Sequence, residues 1–199
     1  EALAPKPPVV TSAVFLDQPV ERYLDLLRLA MPERRKIGVL LGPDSSALKP
    51  NLSKAAAARG MQLIQAPVLA EHEDIYPALR VVLAESDVLL SLPDARVFNA
   101  NSLQNILITS YRQRVPMVTF SESYVRAGAA LALYTAPAHA ATQAAAAVRS
   151  FLVNRRLPPP RTSTGFSVAM NLEVARSLGL TADDPERLAA ALRKQEVGR

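Results

Sequence analysis

The chain has 199 residues, 49% hydrophobic and 21% charged. That is enough apolar material to bury a substantial core in one large domain or about one and a half typical ones. A formal charge of +5 and a pI near 9.8 invite a nucleic-acid reading. However, the basic clusters, Arg34-Arg35-Lys36 and Arg155-Arg156, sit at the ends of predicted elements, where such residues complement helix C-termini or stay solvated. Aromatic residues at 5% leave little for base stacking, so no nucleic-acid partner is expected. Cysteine is absent, which excludes disulfides, thiolate metal sites and a cysteine nucleophile and leaves the compartment open. No apolar run approaches the roughly 18–20 residues that a membrane span needs.

Glu1–Pro8 carries three prolines and reads as an extended lead-in. The start at Glu1, without Met or a leader pattern, reads as a processed end or a truncation. Val9–Leu16, β-branched and aromatic, predicts a strand or crossover. Asp17-Gln18-Pro19 predicts a helix start, with an Asx cap and a first-turn proline, and helical spacing holds from Val20 to Met31 before Pro32. Lys36–Leu41 is a buried strand. Gly42-Pro43-Asp44-Ser45-Ser46 then leads into an alanine-rich helix that starts between Ser45 and Pro50 and ends at Gly60. Met61–Pro67 reads as a strand and Ile75–Glu85 as a helix.

The stretch Asp87–Asn99, DVLLSLPDARVFN, organises the rest. Val88–Leu92 is too short for a buried helix and is stopped by Pro93-Asp94, as expected of a parallel strand covered on both faces. Asn101–Arg114 predicts a helix, Pro116–Phe120 a strand, and Ser121-Glu122-Ser123-Tyr124 a third strand-end loop. Ala129–Tyr134 follows as a strand, Pro137 to about Val153 as a helix, and Leu157–Pro160 as a stiff connector. Phe166–Met170 is a last strand, Asn171 caps a helix ended by Gly179, and Asp184-Pro185 opens the final helix. This alternation predicts an α/β fold, a parallel sheet with helices on both faces, and there is no internal repeat. Ligands of such sheets lie beyond the carboxyl ends of the strands, so the reversals at Gly42, Pro93 and Ser121 should open onto one rim.

The segments FLDQPVERYLDLLRLAMP, KIGVLLGPDSS, SDVLLSLPDARVFN, RVPMVTFSESYVRAGAALALY and FSVAMNLEVARSLGL resemble the substrate-binding proteins of ABC transporters. The likeness is to the type I periplasmic binding fold, in the branch that includes aromatic amino acid binders, and runs from about Val10 to Leu192. It implies two α/β lobes joined by crossovers, with the ligand held between them. On that pattern residues 1–16 are lead-in and crossover and 17–134 the second, ligand-binding lobe. Residues 135–165 are a partial first lobe and connector, and 166–199 return to the second lobe. The first half of the first lobe would precede Glu1, so exposed apolar surface is expected, covered by that segment, a partner chain or a swapped homodimer.

The resemblance implies a solute-binding component of an ABC importer. Its small ligand could be an amino acid, its partner a membrane permease, and its location periplasmic or extracytoplasmic with a lipid anchor as one option. A cytoplasmic ligand-sensing domain or a flavodoxin-like enzyme would use the same strand-end loops. Nine residues are candidates for ligand contact. Asp44, Ser45 and Ser46 could meet a carboxylate with hydroxyls and helix N–H groups, or simply cap the helix. Asp94 and Glu122 could pair with an ammonium, or be solvated loop acids. Phe98 and Tyr124 could stack on an aromatic ligand or belong to the core, and Asn99 and Ser121 could hydrogen-bond. The family branch commonly has a polar residue after the strand-end aspartate, where this chain has Ala95, so an amino acid ligand is not fixed by the resemblance. His72 and His139 lie in separate segments without the spacing of a metal pair or of a nucleophile's base. Phosphate loops, GxSxG and HExxH are absent. No cofactor, metal or enzymatic activity is expected.

Overall fold

The computed structural model of the protein describes residues 11–67, 75–181 and 183–197. His72 and the first part of the predicted Val9–Leu16 strand lie outside them. The centre of the molecule is β2 (Lys36–Leu41), buried along all but its first residue. Its Gly38 is a requirement of packing. A Cβ there would fall 2.3 Å from Ser86 Oγ and 2.6 Å from Val82 Cγ1 of the neighbouring helix and its end, so only glycine lets the two backbones approach this closely.

Around it stand β3 (Gln62–Pro67), β4 (Val88–Leu90), β5 (Met117–Thr119), β6 (Leu131–Tyr134) and β8 (Ser167–Met170) in one sheet of order β3-β2-β4-β5-β6-β8. The first five are mutually parallel, and β8 runs antiparallel to β6. Beside the sheet, β1 (Val14–Phe15) and β7 (Arg161–Thr162) form a two-residue parallel pair. Neither the β7 pairing nor the direction of β8 is encoded in a local pattern, and neither was expected.

Side-chain alternation along the strands builds two cores. Ile37, Val39, Leu41, Val88, Leu90, Val118, Leu131 and Leu133 pack with α1 (Val20–Ala30), α2 (Lys49–Ala57) and α8 (Pro185–Val197). Leu40, Leu89, Met117 and Ala132 pack on the other side with α3 (Ile75–Glu85), α4 (Leu103–Arg112) and α5 (Glu122–Ala127). A buried bidentate pair, Arg59 to both Asp25 oxygens at 2.8 Å, ties the end of α2 to α1. The expected parallel sheet with helices on both faces is therefore what the chain builds.

Two local expectations are corrected. Ser121–Tyr124 is not a loop: Ser121 precedes a six-residue helix, α5, closed by Gly128 at φ 124°. Its only buried residue is Val125, too little apolar material to show helical spacing. Asp17 does not cap α1. Pro19 occupies the N-cap position with no side-chain hydrogen bond, and Asp17 is left exposed ahead of the helix. Asn171 does cap α7 (Leu172–Ser177), accepting from the Val174 N–H at 3.1 Å. In α6 (Pro137–Asn154) the buried residue is Gln143, and Val148, Leu152 and Val153 are exposed.

Candidate functional site

Strand β2 is followed in sequence by β3 on one side, while β4 pairs on its other side, so the order reverses between β2 and β4. At such a switch point the loops leaving the carboxyl ends part and open a crevice. Here a carboxylate ties the two loops. Asp94, 4% exposed, accepts at Oδ2 from the Ser45 N–H (2.9 Å) and the Ser45 hydroxyl (2.7 Å) and at Oδ1 from the Arg96 N–H (3.0 Å). The Ser45 hydroxyl oxygen in turn accepts from the Gly42 N–H at 3.0 Å. Gly42 has no side chain because a Cβ would stand 2.6 Å from both Asp94 oxygens.

Above this knot lie two cavities of about 410 and 400 Å³ that share Asp17 and Pro93. The first is walled by Phe120, Ser121, Glu122 and Ser123 from the β5 end and by Tyr134 and Thr135 from the β6 end. The second is walled by Asp44, Leu48, Asn51 and Leu92, with Gln18 from the segment before α1 and Thr162 from β7. The reversals at Gly42, Pro93 and Ser121 thus share one rim. A cavity of about 540 Å³ along β8 and α8 is larger, and one of about 380 Å³ beside Arg34 and Asp87 lies at the amino ends of the strands. Neither receives a strand-end loop of the parallel strands β2, β4 or β5, so the rim is the candidate site.

Of the nine residues singled out from the sequence, Asp44, Ser121 and Glu122 line the rim cavities. Ser45 and Asp94 are turned inward and hold the loops together. Ser46 is exposed and bonds the Pro43 carbonyl at 3.2 Å. Phe98 is 3% exposed and forms an edge-to-face series with Phe120 and Tyr124, whose hydroxyl donates to the Phe98 carbonyl at 3.1 Å. Asn99 is committed to its own turn: Oδ1 accepts from the Asn101 and Ser102 N–H groups and Nδ2 donates to the Ala95 carbonyl. Asp17, Phe120, Tyr134 and Thr135 also line the rim, and the sequence carries no signal for them: the capping pattern claims Asp17, and the others stand at strand ends whose facing depends on register.

The charged groups of the rim are mainly acidic, Asp17, Glu21, Asp44 and Glu122 with Arg126 beside them, on a largely apolar lining. Glu122 pairs with Arg126 at 2.7 Å, but both side chains are well exposed, so the pair is worth only about 0.3–0.5 kcal/mol and a ligand cation can replace Arg126 cheaply. Burial, followed by the neighbouring Glu122 carboxylate, pushes the Tyr134 phenol above its ordinary pKa and keeps it a neutral donor. Ser121 and Ser123 hydroxyls lie 2.7 Å apart. Among the described residues no group of three or more His, Cys, Asp or Glu is placed to hold a metal ion. None of their helices is long and apolar enough to cross a membrane.

The family model described as "ABC transporter substrate binding protein" matches residues 8–193. No curated protein sequence matches the chain. Among solved structures, a conserved domain protein from Vibrio cholerae is similar at 26% identity and TM-score 0.67, over 86% of this chain and 58% of that one. An ABC domain from Streptococcus pneumoniae in complex with L-Trp is similar at 15% identity and TM-score 0.66, over 83% and 57%. A periplasmic solute-binding protein from Actinobacillus succinogenes with bound D-allose is similar at 14% identity and TM-score 0.51, over 83% and 63%. The chain therefore spans less than two thirds of the length of each of these structures.

Proposed function

The chain belongs to the ABC transporter substrate binding protein family, and from that premise we propose that it is the ligand-binding lobe of an importer's solute receptor. A small molecule settles on the rim above β2, β4 and β5, a second lobe closes over it, and a membrane permease receives it. Such a receptor works outside the cytoplasm, tethered or free, by binding and release without catalysis. The observation that carries this is the cleft itself: three strand-end loops form one wall, and the segments just before α1 and just after β6 supply Asp17 and Thr135 as the other. The family match favours this reading over a cytoplasmic sensing domain or a flavodoxin-like enzyme.

An amino acid is the ligand class we put first. Glu122 offers a carboxylate to an ammonium in exchange for a weakly held Arg126, and Ser121 and Ser123 offer hydroxyls for the remaining polar groups. The L-Trp complex of a fold relative is consistent with this, and the D-allose complex of another makes a sugar the competing class. In this reading α6 is part of the first lobe, as its exposed Val148, Leu152 and Val153 suggest. The rest of that lobe, rather than a second copy, covers it.

The test is a thermal-shift panel on the full-length protein with L-tryptophan, L-arginine, L-glutamate, D-allose and D-ribose. A ligand at 100 times its dissociation constant stabilises by about 2.7 kcal/mol. At least one amino acid is expected to stabilise, and Glu122→Ala to weaken it by about tenfold or more, the loss of a charge-assisted hydrogen bond. No response from any member, or a response that Glu122→Ala leaves intact, contradicts the proposal.

A further inference from the structure

The two rim cavities differ in charge from each other and from the chain as a whole, which carries a formal +5. The first is lined by Glu122 and Arg126, an exposed pair of opposite charges one helical turn apart on α5. The second is lined by Asp17, Glu21 and Asp44, and no described Lys, Arg or His shares its lining. Among the described residues none of these three carboxylates is in an ion pair. Asp94 nearby is different, because the Ser45 and Arg96 donors take both of its oxygens. The rest of the second lining is mainly apolar, with Val20, Leu48, Leu92 and Pro93. Asp17 and Pro93 line both cavities, so one ligand can reach from the first into the second. Three acids alone would mark only a solvated surface; the apolar cavity that joins them to a pair of opposite charges is what points to a ligand.

Exposed carboxylates cost little while water solvates them. A lobe closing over the rim removes that water, and a carboxylate buried there without a partner is strongly unfavourable. We propose that the ligand itself brings the pairing charge, and that the substrate class is an amino acid with a long, positively charged side chain. Its ammonium takes Glu122 and its carboxylate takes the Arg126 that Glu122 releases, so the exchange leaves no charge unmatched. Its methylene stem lies along Pro93, Leu92 and Leu48, and its cationic end meets Asp17, Glu21 and Asp44. That is the division between apolar stem and charged tip that lysine and arginine side chains adopt at protein surfaces. An aromatic or neutral side chain would cover the same apolar lining and leave the carboxylates unpaired. The proposal rests on the reading of the rim as an importer receptor's amino acid site, and it narrows that class by charge and length.

Titration calorimetry on the full-length protein compares L-arginine with L-citrulline, which has the same head and nearly the same shape but an uncharged end, and with L-tryptophan, D-allose and D-ribose. L-Arginine is expected to bind at least about tenfold more tightly than L-citrulline, the difference made by one charge-assisted hydrogen bond. Asp17→Asn and Asp44→Asn should each weaken L-arginine about threefold or more and L-citrulline less, because a neutral end has no charge for those carboxylates to hold. Both side chains are exposed, so neither substitution disturbs the core. Glu122→Gln should weaken the two ligands alike, since it meets the ammonium that they share. Equal affinity for L-arginine and L-citrulline, or equal losses for the two in Asp17→Asn and Asp44→Asn, overturns the cationic side chain. Binding of L-tryptophan but not of L-arginine also overturns it and leaves the receptor reading standing, with the covering lobe supplying the cations. Binding of a sugar alone overturns it together with the amino acid class. If none of the five binds, the receptor reading fails with it.

Discussion

The Asp94 carboxylate joins residues 49 positions apart in the chain, and that separation is why its role differs from the one its position suggested. In sequence, Asp44-Ser45-Ser46 and Asp94 are polar residues after a strand, equally suited to meeting a ligand. In the fold only Ser45 of the first three turns inward, and it consumes one Asp94 oxygen while the Arg96 N–H takes the other. Gly42→Ala should destabilise by about 1–3 kcal/mol, since the new methyl group meets the carboxylate and the packed corner must shift. Asp94→Ala should cost about 1–3 kcal/mol by stranding the Ser45 and Arg96 donors. Urea denaturation measures both. A variant as stable as the parent would mean that the corner is not a tight knot. The location of the corner was legible, because strand, proline and acid follow one another in DVLLSLPD. Which acid lines the rim was not, because that depends on a partner loop.

At the scale of elements, helices with a broad apolar face were readable and those without were not. Ile75–Glu85 and Lys36–Leu41 have the bounds that their spacing predicts, whereas α5 buries a single residue and left no period to read. α1 shows how a readable helix is fastened. Tyr23, 1% exposed, packs in the core while its hydroxyl donates to the Leu133 carbonyl of β6 at 3.2 Å. Burial, with a smaller contribution from the Asp17 carboxylate, raises the phenol's pKa well above its ordinary value. The sign of the linkage follows: the neutral form is favoured in the folded state, so this contribution is whole below about pH 10 and is lost as pH rises beyond it. Tyr23→Phe should cost about 0.5–1.5 kcal/mol at neutral pH and flatten the loss of stability above pH 10. Denaturation at pH 7 and pH 11 decides it, and an unchanged alkaline slope would contradict the assignment.

For the whole molecule, the succession of strands and helices made the layered fold legible, because each buried strand is punctuated by turn residues. The sheet order and the antiparallel β8 were not, since pairing partners are set by packing between distant segments rather than by local pattern. The order matters for function. It places the switch point between β2 and β4 and brings Asp44, Pro93 and Ser121 to one end, with the crossovers beside them. The whole account turns on a ligand occupying that end. Amide chemical-shift mapping of the full-length protein titrated with L-tryptophan, L-arginine, L-glutamate, D-allose and D-ribose tests this most directly. Shifts are expected at Asp17, Gly42–Asp44, Ser121–Glu122 and Thr135. Shifts confined to Met31–Arg34, Asp87 and Gly179–Thr181 at the opposite pole, or no shift with any of the five, would contradict it.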